Sequence, residues 1–483
     1  MPTLTIYQGP QVKTVQVPAG ALLSDALRDA GAAVALPCGG RGVCGKCAVQ
    51  VTGEVSAPNA AEKKLGIRLA CQTAVHGDAQ VILPLPRDME IEAGRAVQHE
   101  AKLPMGEGYG AAIDIGTTTL ALQLYDLQSG RCLSSYSMLN PQTNVAADVI
   151  GRIDAALKGK LTELQESITG ALRTMLACAA AEAGIPQDAV QTLVITGNTT
   201  MLYLLTGKDP EALSHFPFEA DCLFGDTFAL LGRKAYLPPC LHAFVGADIA
   251  TAVLASGMCG KDETALLCDI GTNGELALWK DGTLYVTSTA AGPAFEGAGI
   301  QCGCASVLGA IDRVDIEGDE TVFHTIGEKE AVGLCGSGLI DAIAALLELE
   351  IIDETGAMDD DHPFTETVYL APADVRAVQL SKAAIFAGIQ CLMDAAGCRE
   401  SDVKTIYLAG GFGSHMNLYS AARIGLLPES FISRVKIIGN AALDGAAELL
   451  LNREAALPTA AQHVSLGGNP KFNNLYMESM LFE

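Results

Sequence analysis

Two sets of residues in this chain are spaced for chemistry, and the first is a pair of aspartates. Asp114 and Asp269 each end an apolar stretch and each is followed by Ile-Gly-Thr. The first copy continues Gly116-Thr117-Thr118-Thr119-Leu-Ala-Leu122, and the second Gly271-Thr272-Asn273-Gly274-Glu-Leu-Ala-Leu278. A carboxylate at the end of a buried strand is placed to hold Mg²⁺ through water or to orient an attacking water. Gly116, Gly271 and Gly274 permit tight hairpin turns whose backbone N–H groups face outward, a cradle for phosphate. One such turn would be read only as a turn. Two predict a duplicated domain with a nucleotide in the cleft between its halves.

The second set is Cys38, Cys44, Cys47 and Cys71, spaced C-x₅-C-x₂-C-x₂₃-C with four glycines between Cys38 and Cys47. A thiolate-ligated cluster needs a chain that wraps its sulfides closely and offers N–H donors, and glycine permits both. Structural zinc is the rival. It usually pairs two short cysteine knuckles, and only one C-x₂-C is present here.

The elements that must position these residues follow from pattern. Strands at Thr3–Tyr7 and Val12–Val17, a helix at Ser24–Ala30 and strands at Lys46–Val51 and Gln80–Leu83 predict a small β-grasp around the cysteines. Pro84, Pro86, Gly94, Pro104, Gly106 and Gly108 punctuate the stretch after it, read as a linker over 87–108. Beyond it, strand, glycine turn and helix alternate to the end, which is the mark of α/β layering. Asn140-Pro-Gln142 and Asp148 to Arg152 lead into helices expected over 147–157 and 161–183. Asp248 opens another over 249–256. Three further glycine turns stand in the second half: Ala291 to Gly297 with Glu296, Gly333 to Gly338 before a long helix, and Ala409-Gly410-Gly411-Phe-Gly413 after a strand. The expected organisation is residues 1–86, a linker 87–108, and the two halves of the duplicated domain at 109–256 and 257–483.

Composition narrows the function classes. Fifty-six acidic against 31 basic residues give a formal charge of −25, which argues against nucleic acid and anionic membrane as partners. No run of 18 apolar residues occurs, and Met1–Lys13 lacks the basic and apolar regions of a signal peptide. Fifteen cysteines without an export signal point to a reducing cytoplasm, and to thiols or metal rather than a disulfide scaffold.

The N-terminal stretch resembles a [2Fe-2S] ferredoxin domain. The order of phosphate hairpins, Gly-Gly turn and closing helix Ala441–Leu450 resembles the acetate and sugar kinase, Hsp70 and actin superfamily, built on duplicated ribonuclease-H-like halves. Fused in this order, the two resemble one family, the ATP-dependent reductive activators of corrinoid proteins. The resemblance implies a [2Fe-2S] cluster on Cys38, Cys44, Cys47 and Cys71, with ATP and Mg²⁺ in the cleft. It assigns Mg²⁺ and the hydrolytic water to Asp114 and Asp269. Gly116, Thr117, Thr118, Gly271, Thr272, Asn273 and Gly274 would line the phosphates, and Gly336, Gly410 and Gly411 the adenosine. The activity it implies is transfer of one electron to Co(II) of a corrinoid protein in a methyltransferase system, giving Co(I). An upstream electron donor, and a second copy of the chain as a dimer, are the other partners it allows. The family pattern has Met-Arg where this chain has Cys304-Ala305. The competing reading is a small-molecule kinase with a ferredoxin appended, for which Asp248 or Glu296 would serve as base.

Overall fold

The computed structural model describes residues 1–8, 11–30, 32, 34, 47–65, 68–83, 101–410, 416–458 and 460–482. Cys38, Cys44, Gly411 and most of the expected linker lie outside them.

The N-terminal unit holds strands β1 (Thr3–Gln8), β2 (Gln11–Gln16) and β3 (Ala21–Leu22), helix α1 (Leu23–Asp29), β4 (Ala48–Val55), α2 (Ala60–Leu65), β5 (Arg68–Leu69) and β6 (Ala74–Ile82). Its sheet runs β2-β1-β6-β4-β5 with β3 on β6, and β1 and β6 are parallel. Leu23, Ala26 and Leu27 of α1 pack with Leu4, Ile6, Val75 and Val81, so one apolar helix face closes one apolar sheet face. This is the β-grasp expected from the strand pattern.

The larger part begins with β7 (Tyr109–Ile115), β8 (Thr119–Asp126), β9 (Cys132–Leu139), α3 (Val149–Ala155), α4 (Leu161–Glu182), β10 (Val190–Gly197), α5 (Thr199–Thr206), α6 (Glu211–Ser214), β11 (Thr227–Leu230) and β12 (Arg233–Tyr236). These strands form one sheet in the order β11-β12-β10-β7-β8-β9. After α7 (Ala247–Ser256), β13 (Ala265–Ile270), β14 (Gly274–Lys280) and β15 (Thr283–Thr289) repeat the β7-β8-β9 meander. An insertion follows, with β16 (Ala310–Glu317), β17 (Glu320–Thr325), β18 (Gly333–Leu334), α8 (Gly336–Glu348) and a short ribbon of β19 (His362–Pro363) and β20 (Tyr369–Leu370). The chain closes with α9 (Pro372–Ala395), β21 (Thr405–Ala409), α10 (Leu418–Arg423), β22 (Val435–Gly439), α11 (Ala441–Leu451), β23 (Gln462–His463) and α12 (Pro470–Glu478). The second sheet runs β22-β21-β13-β14-β15-β23. In each half a parallel strand flanks the Asp-bearing one, β10 beside β7 and β21 beside β13. The duplication inferred from two short phrases is therefore a duplication of topology.

The halves exchange helices. Ile249 and Val253 of α7 pack on Ala265, Leu267, Ala277 and Val286 of the second sheet. Leu443, Ala446 and Leu450 of α11 pack on Ala112, Ala121, Tyr125 and Val194 of the first. The two helices cross where a Cβ at Gly445 would lie 2.0 Å from the Thr251 carbonyl oxygen.

Two expectations change here. The helix expected over 147–157 starts at Val149, with Asp148 as its cap, and runs into a π turn, Ala156–Lys160, that breaks at Lys158 and Gly159 before α4. Residues 101–108, expected as the end of the linker, are anchored instead. The N–H groups of Lys102, Leu103 and Met105 bond the last carbonyls of α11, Leu451 and Leu450, which have no partner inside the helix. Among the described residues, no helix is long and apolar enough to cross a membrane.

Candidate functional site

Register puts both aspartates on the helix-covered face of their sheets. Asp114 shares the face of Ala112 toward α11, and Asn440, the residue capping α11, donates from Nδ2 to Asp114 Oδ2 at 3.0 Å. Asp269 shares the face of Ala265 and Leu267 toward α7, whose first turn carries Asp248. Glu275 stands opposite Asp269 on β14. At Gly410, φ is +102 and a Cβ would meet the Ile270 carbonyl at 2.5 Å and Asp269 Oδ1 at 3.1 Å, so this glycine permits the end of β21 to pass directly over the carboxylate.

Burial raises all four carboxylates, and the charge of Asp114 adds to the rise of Asp248 and Asp269. Burial, opposed by the Asn440 bond, pushes Asp114 up to about 6. Burial and then the charges of Asp114 and Glu296 push Asp269 up to about 7. Burial and then the charge of Asp114 push Asp248 up to about 8, and Asp269 adds to it. Glu275 is raised well above the usual range by burial and by Asp248 and Asp269. None of them is paired with Lys or Arg among the described residues. Neighbouring carboxylates without a basic partner suit a hard, hydrated dication. No three acidic, His or Cys side chains among the described residues are arranged to hold a bare metal ion. Carboxylate oxygens are the ligand type that a hydrated Mg²⁺ takes.

The two hairpin turns differ from expectation in one respect. The Gly116 N–H bonds the Thr119 carbonyl and the Gly271 N–H the Asn273 carbonyl, so these two close the turns rather than facing outward. What the turns present to each other is hydroxyl. Thr118 Oγ1 and Thr272 Oγ1 lie 2.9 Å apart across the cleft, and both donate to Glu296 Oε2, at 2.6 and 2.7 Å. Thr117 Oγ1 accepts from Asn198 Nδ2 at 3.1 Å. Asn273 bonds Glu275, and Gly274 lies where a Cβ would come within 2.6 Å of Thr289 Oγ1.

Behind the first turn, the Asn140-Pro-Gln142 phrase acts as a brace. Asn140 Nδ2 donates to the Gly116 carbonyl at 2.9 Å, and the Asn140 N–H to the Thr118 carbonyl at 2.8 Å. Arg152, fully buried, donates to the Thr117 carbonyl at 2.5 Å and to Gln142 Oε1 at 3.3 Å. Gly336 starts α8. Five residues along that helix, Asp341 lines a cavity of about 550 Å³ between α8, β16 and α10. Its Oδ1 is buried without a hydrogen-bond partner.

In the N-terminal unit, Cys47 and Cys71 are buried with their sulfurs 3.2 Å apart. That is too far for a disulfide of about 2.05 Å, and suits two thiolates converging on one centre. Glu62 fixes the loop that carries Cys71. Its Oε1 accepts from Arg68 Nε, the Leu69 N–H and Thr73 Oγ1, all within 3.0 Å. Burial opposes its charge, but the bonds from Leu69, Asn59, Arg68 and Thr73 outweigh it and hold the carboxyl below the usual range. Glu62 and Asn440 carried no chemical pattern in sequence, although an Asn before an apolar helix is a recognisable cap.

Fold and site together define a ferredoxin-type domain joined to an ATPase of the actin, Hsp70 and sugar-kinase type. Comparison with known proteins narrows this. Residues 6–76 match the 2Fe-2S iron-sulfur cluster binding domain, 109–261 the RACo middle region, and 263–483 the C-terminal, ASKHA, domain of RACo. The corrinoid activation enzyme RamQ of Eubacterium limosum is 36% identical over 420 residues, covering 77% of this chain and 70% of its own. The [Co(II) methylated amine-specific corrinoid protein] reductase of Methanosarcina barkeri is 26% identical, covering 76% of each chain. A solved reductive activator for corrinoid, iron-sulfur protein superposes with a TM-score of 0.73 at 26% identity, over all of this chain and 98% of that one. The chain belongs to the family of reductive activators of corrinoid proteins.

Proposed function

We propose that this chain is an ATP-hydrolysing iron–sulfur reductase that returns a corrinoid protein from Co(II) to Co(I). The observation that carries the reading is a paired-aspartate cleft, its turns joined through Thr118, Thr272 and Glu296, in one chain with a ferredoxin-type domain whose Cys47 and Cys71 sulfurs converge. The family supplies the acceptor.

When bound on Cys38, Cys44, Cys47 and Cys71, a [2Fe-2S] cluster supplies single electrons, at about −400 mV for the plant type. A cobalt acceptor of lower potential makes the transfer uphill by about 2.3 kcal/mol for each 100 mV, which ATP hydrolysis offsets. In the cleft, Asp269 and Asp114, one from each half, would hold a hydrated Mg²⁺ and orient the attacking water. Asn440 keeps Asp114 turned toward that water. Asp248, in the first turn of α7 and near enough to Asp114 and Asp269 to feel their charges, would take the proton the water gives up. Thr117, Thr118, Thr272 and Asn273, with Gly116, Gly271 and Gly274, line the phosphates. Gly336, Gly410 and Gly411 would border the adenosine.

The partner is the corrinoid protein of a methyltransferase system, reached in the cytoplasm, with a separate donor recharging the cluster and a second copy of the chain as a candidate dimer partner. The charge of −25 supports protein over nucleic acid or membrane as the docking surface. The test is ATP turnover with and without a Co(II) corrinoid protein and reductant, following the cobalt spectrum. ATP-dependent appearance of Co(I) supports the reading. Phosphorylation of a small acid or sugar without change at cobalt would hand the case to the kinase.

A further inference from the structure

Glu296 sits where a phosphate would be expected. It closes a short 3₁₀ turn, Pro293–Glu296, and its carboxylate takes three donors. These are the Thr118 hydroxyl of the first half at 2.6 Å, the Thr272 hydroxyl of the second at 2.7 Å, and the Thr272 N–H, which reaches Oε1 at 3.0 Å. Two hydroxyl protons serve three short edges. With both aimed at the carboxylate, the 2.9 Å contact between the hydroxyls is held only by their common acceptor. Gly271 makes room, since a Cβ there would lie 3.1 Å from Glu296 Oε1. Gly297 at φ +72 turns the chain where a Cβ would strike Cys304 at 2.3 Å, and the Gly292 N–H bonds the Thr272 carbonyl at 2.9 Å. The loop is thus tied to the hairpin and aims its acid into the turn.

Neither turn needs this acid to form. Each is closed by its own bonds, Gly116 to Thr119 and Gly271 to Asn273. A carboxylate that bridges hydroxyls of two halves offers oxygens much as a phosphate does, at one negative charge and with the same preference for charge-assisted donors. Resting on the reading of this cleft as the nucleotide site, we propose that Glu296 is an internal anion that holds the phosphate cradle of the nucleotide-free protein and competes with the polyphosphate for the same three donors. Nucleotide entry then does two things at once. It replaces the carboxylate, and it releases the clasp between Thr118 and Thr272, so the halves exchange a protein-made link for one made through the ligand.

The test is equilibrium binding of AMP, ADP and ATP to the full chain by calorimetry, at fixed Mg²⁺ and without a corrinoid protein. Glu296→Ala frees all three donors and removes the repulsion. ATP should bind about tenfold or more tightly, the worth of one charged hydrogen-bond acceptor removed from competition. Glu296→Gln, which keeps shape but not charge, should lie between. The gain should shrink from ATP to AMP. Weaker or unchanged ATP binding in both variants overturns the proposal, since that is what a merely structural clasp would give. An equal gain for AMP also overturns it. If the Ala variant does not fold, the isosteric Gln variant decides by the same comparison. Failure of the parent chain to bind any nucleotide would overturn the cleft reading, and this inference with it.

Discussion

Glu275 stands directly across from Asp269 in the β13–β14 ladder, whereas the partner of Asp114 in the β7–β8 ladder is Ala121. The difference arises from the turns. Three residues separate Ile270 from its partner Gly274, and four separate Ile115 from Leu120, so the repeated Leu-Ala-Leu phrases fall in different registers. One face of the second hairpin therefore carries two carboxylates, and the first carries one.

Glu275→Gln should weaken the hold on Mg²⁺ without disturbing the strand. A unit charge acting over several ångströms at an effective dielectric near 20 contributes about 2 kcal/mol, so the Mg²⁺ concentration for half-maximal hydrolysis should rise about tenfold or more. ATP binding without Mg²⁺ should be unchanged or tighter. An unaltered Mg²⁺ titration would show that Glu275 is only packed there.

The pH dependence of stability follows from Asp269. Its carboxyl is ordinarily at 3.8 and rises to about 7, with burial as the main cause and the charges of Asp114 and Glu296 next. A folded-state value above the unfolded one gives stability that is complete at low pH and is lost as pH climbs between those two values. Asp269→Asn removes the loss. In EDTA, its urea-unfolding free energy relative to the parent should rise between pH 4 and pH 8. The ceiling is about 1.4 kcal/mol per pKa unit, and the realised gain should be smaller because the carboxyl keeps some view of solvent. Hydrolysis should fall by about a hundredfold or more, as for other groups that orient the reacting water. A pH-independent difference between the two proteins would contradict the assignment.

The cysteines make a separate prediction. Cys47→Ser or Cys71→Ser should abolish the visible absorption of the iron–sulfur centre and the reduction of cobalt, while nucleotide binding persists in the ATPase halves. Iron analysis and calorimetry on the same sample check both. A colourless parent protein loaded with zinc would refute it.

Much of this was legible locally, and the rest was not, for a physical reason. A hairpin is encoded within a dozen residues, so Asp114, Asp269 and the threonines beside them stand out, as do the cysteines by their spacing. Asn140-Pro-Gln142 and Arg152 were visible as a phrase, but their role depends on a buried guanidinium reaching the Thr117 carbonyl. Asn440 acts on Asp114 from 326 residues away, and no local pattern reports such a contact. Glu275 was hidden by a single residue of register. The long helix Pro372–Ala395, which packs on the second sheet, is hard to see in sequence because its polar Gln379, Ser381 and Lys382 are buried and blur the helical stripe. The exchange of α7 and α11 between sheets belongs to the same class, since periodicity marks an apolar face but not which sheet it will meet.

That exchange supplies the last prediction. Asp248 opens α7 beneath the second sheet's acids, and Asn440 caps α11 against Asp114, so the angle between these helices sets where both polar groups lie. They touch at Gly445, where an added Cβ would lie 2.0 Å from the Thr251 carbonyl oxygen and 2.5 Å from its carbon. Two effects oppose each other in Gly445→Ala. Alanine in a helix interior is worth up to about 1 kcal/mol over glycine. Forcing a methyl into a backbone contact this close costs about 1–3 kcal/mol or more, because neither helix can shift without moving off its own sheet. The clash should win. The melting temperature should fall, and hydrolysis should drop at least tenfold as Asp248 and Asn440 tip away from the aspartates, with the iron–sulfur colour unchanged. A more stable and fully active Gly445→Ala protein would show that the helices do not meet there, and that the cleft is not set by their crossing.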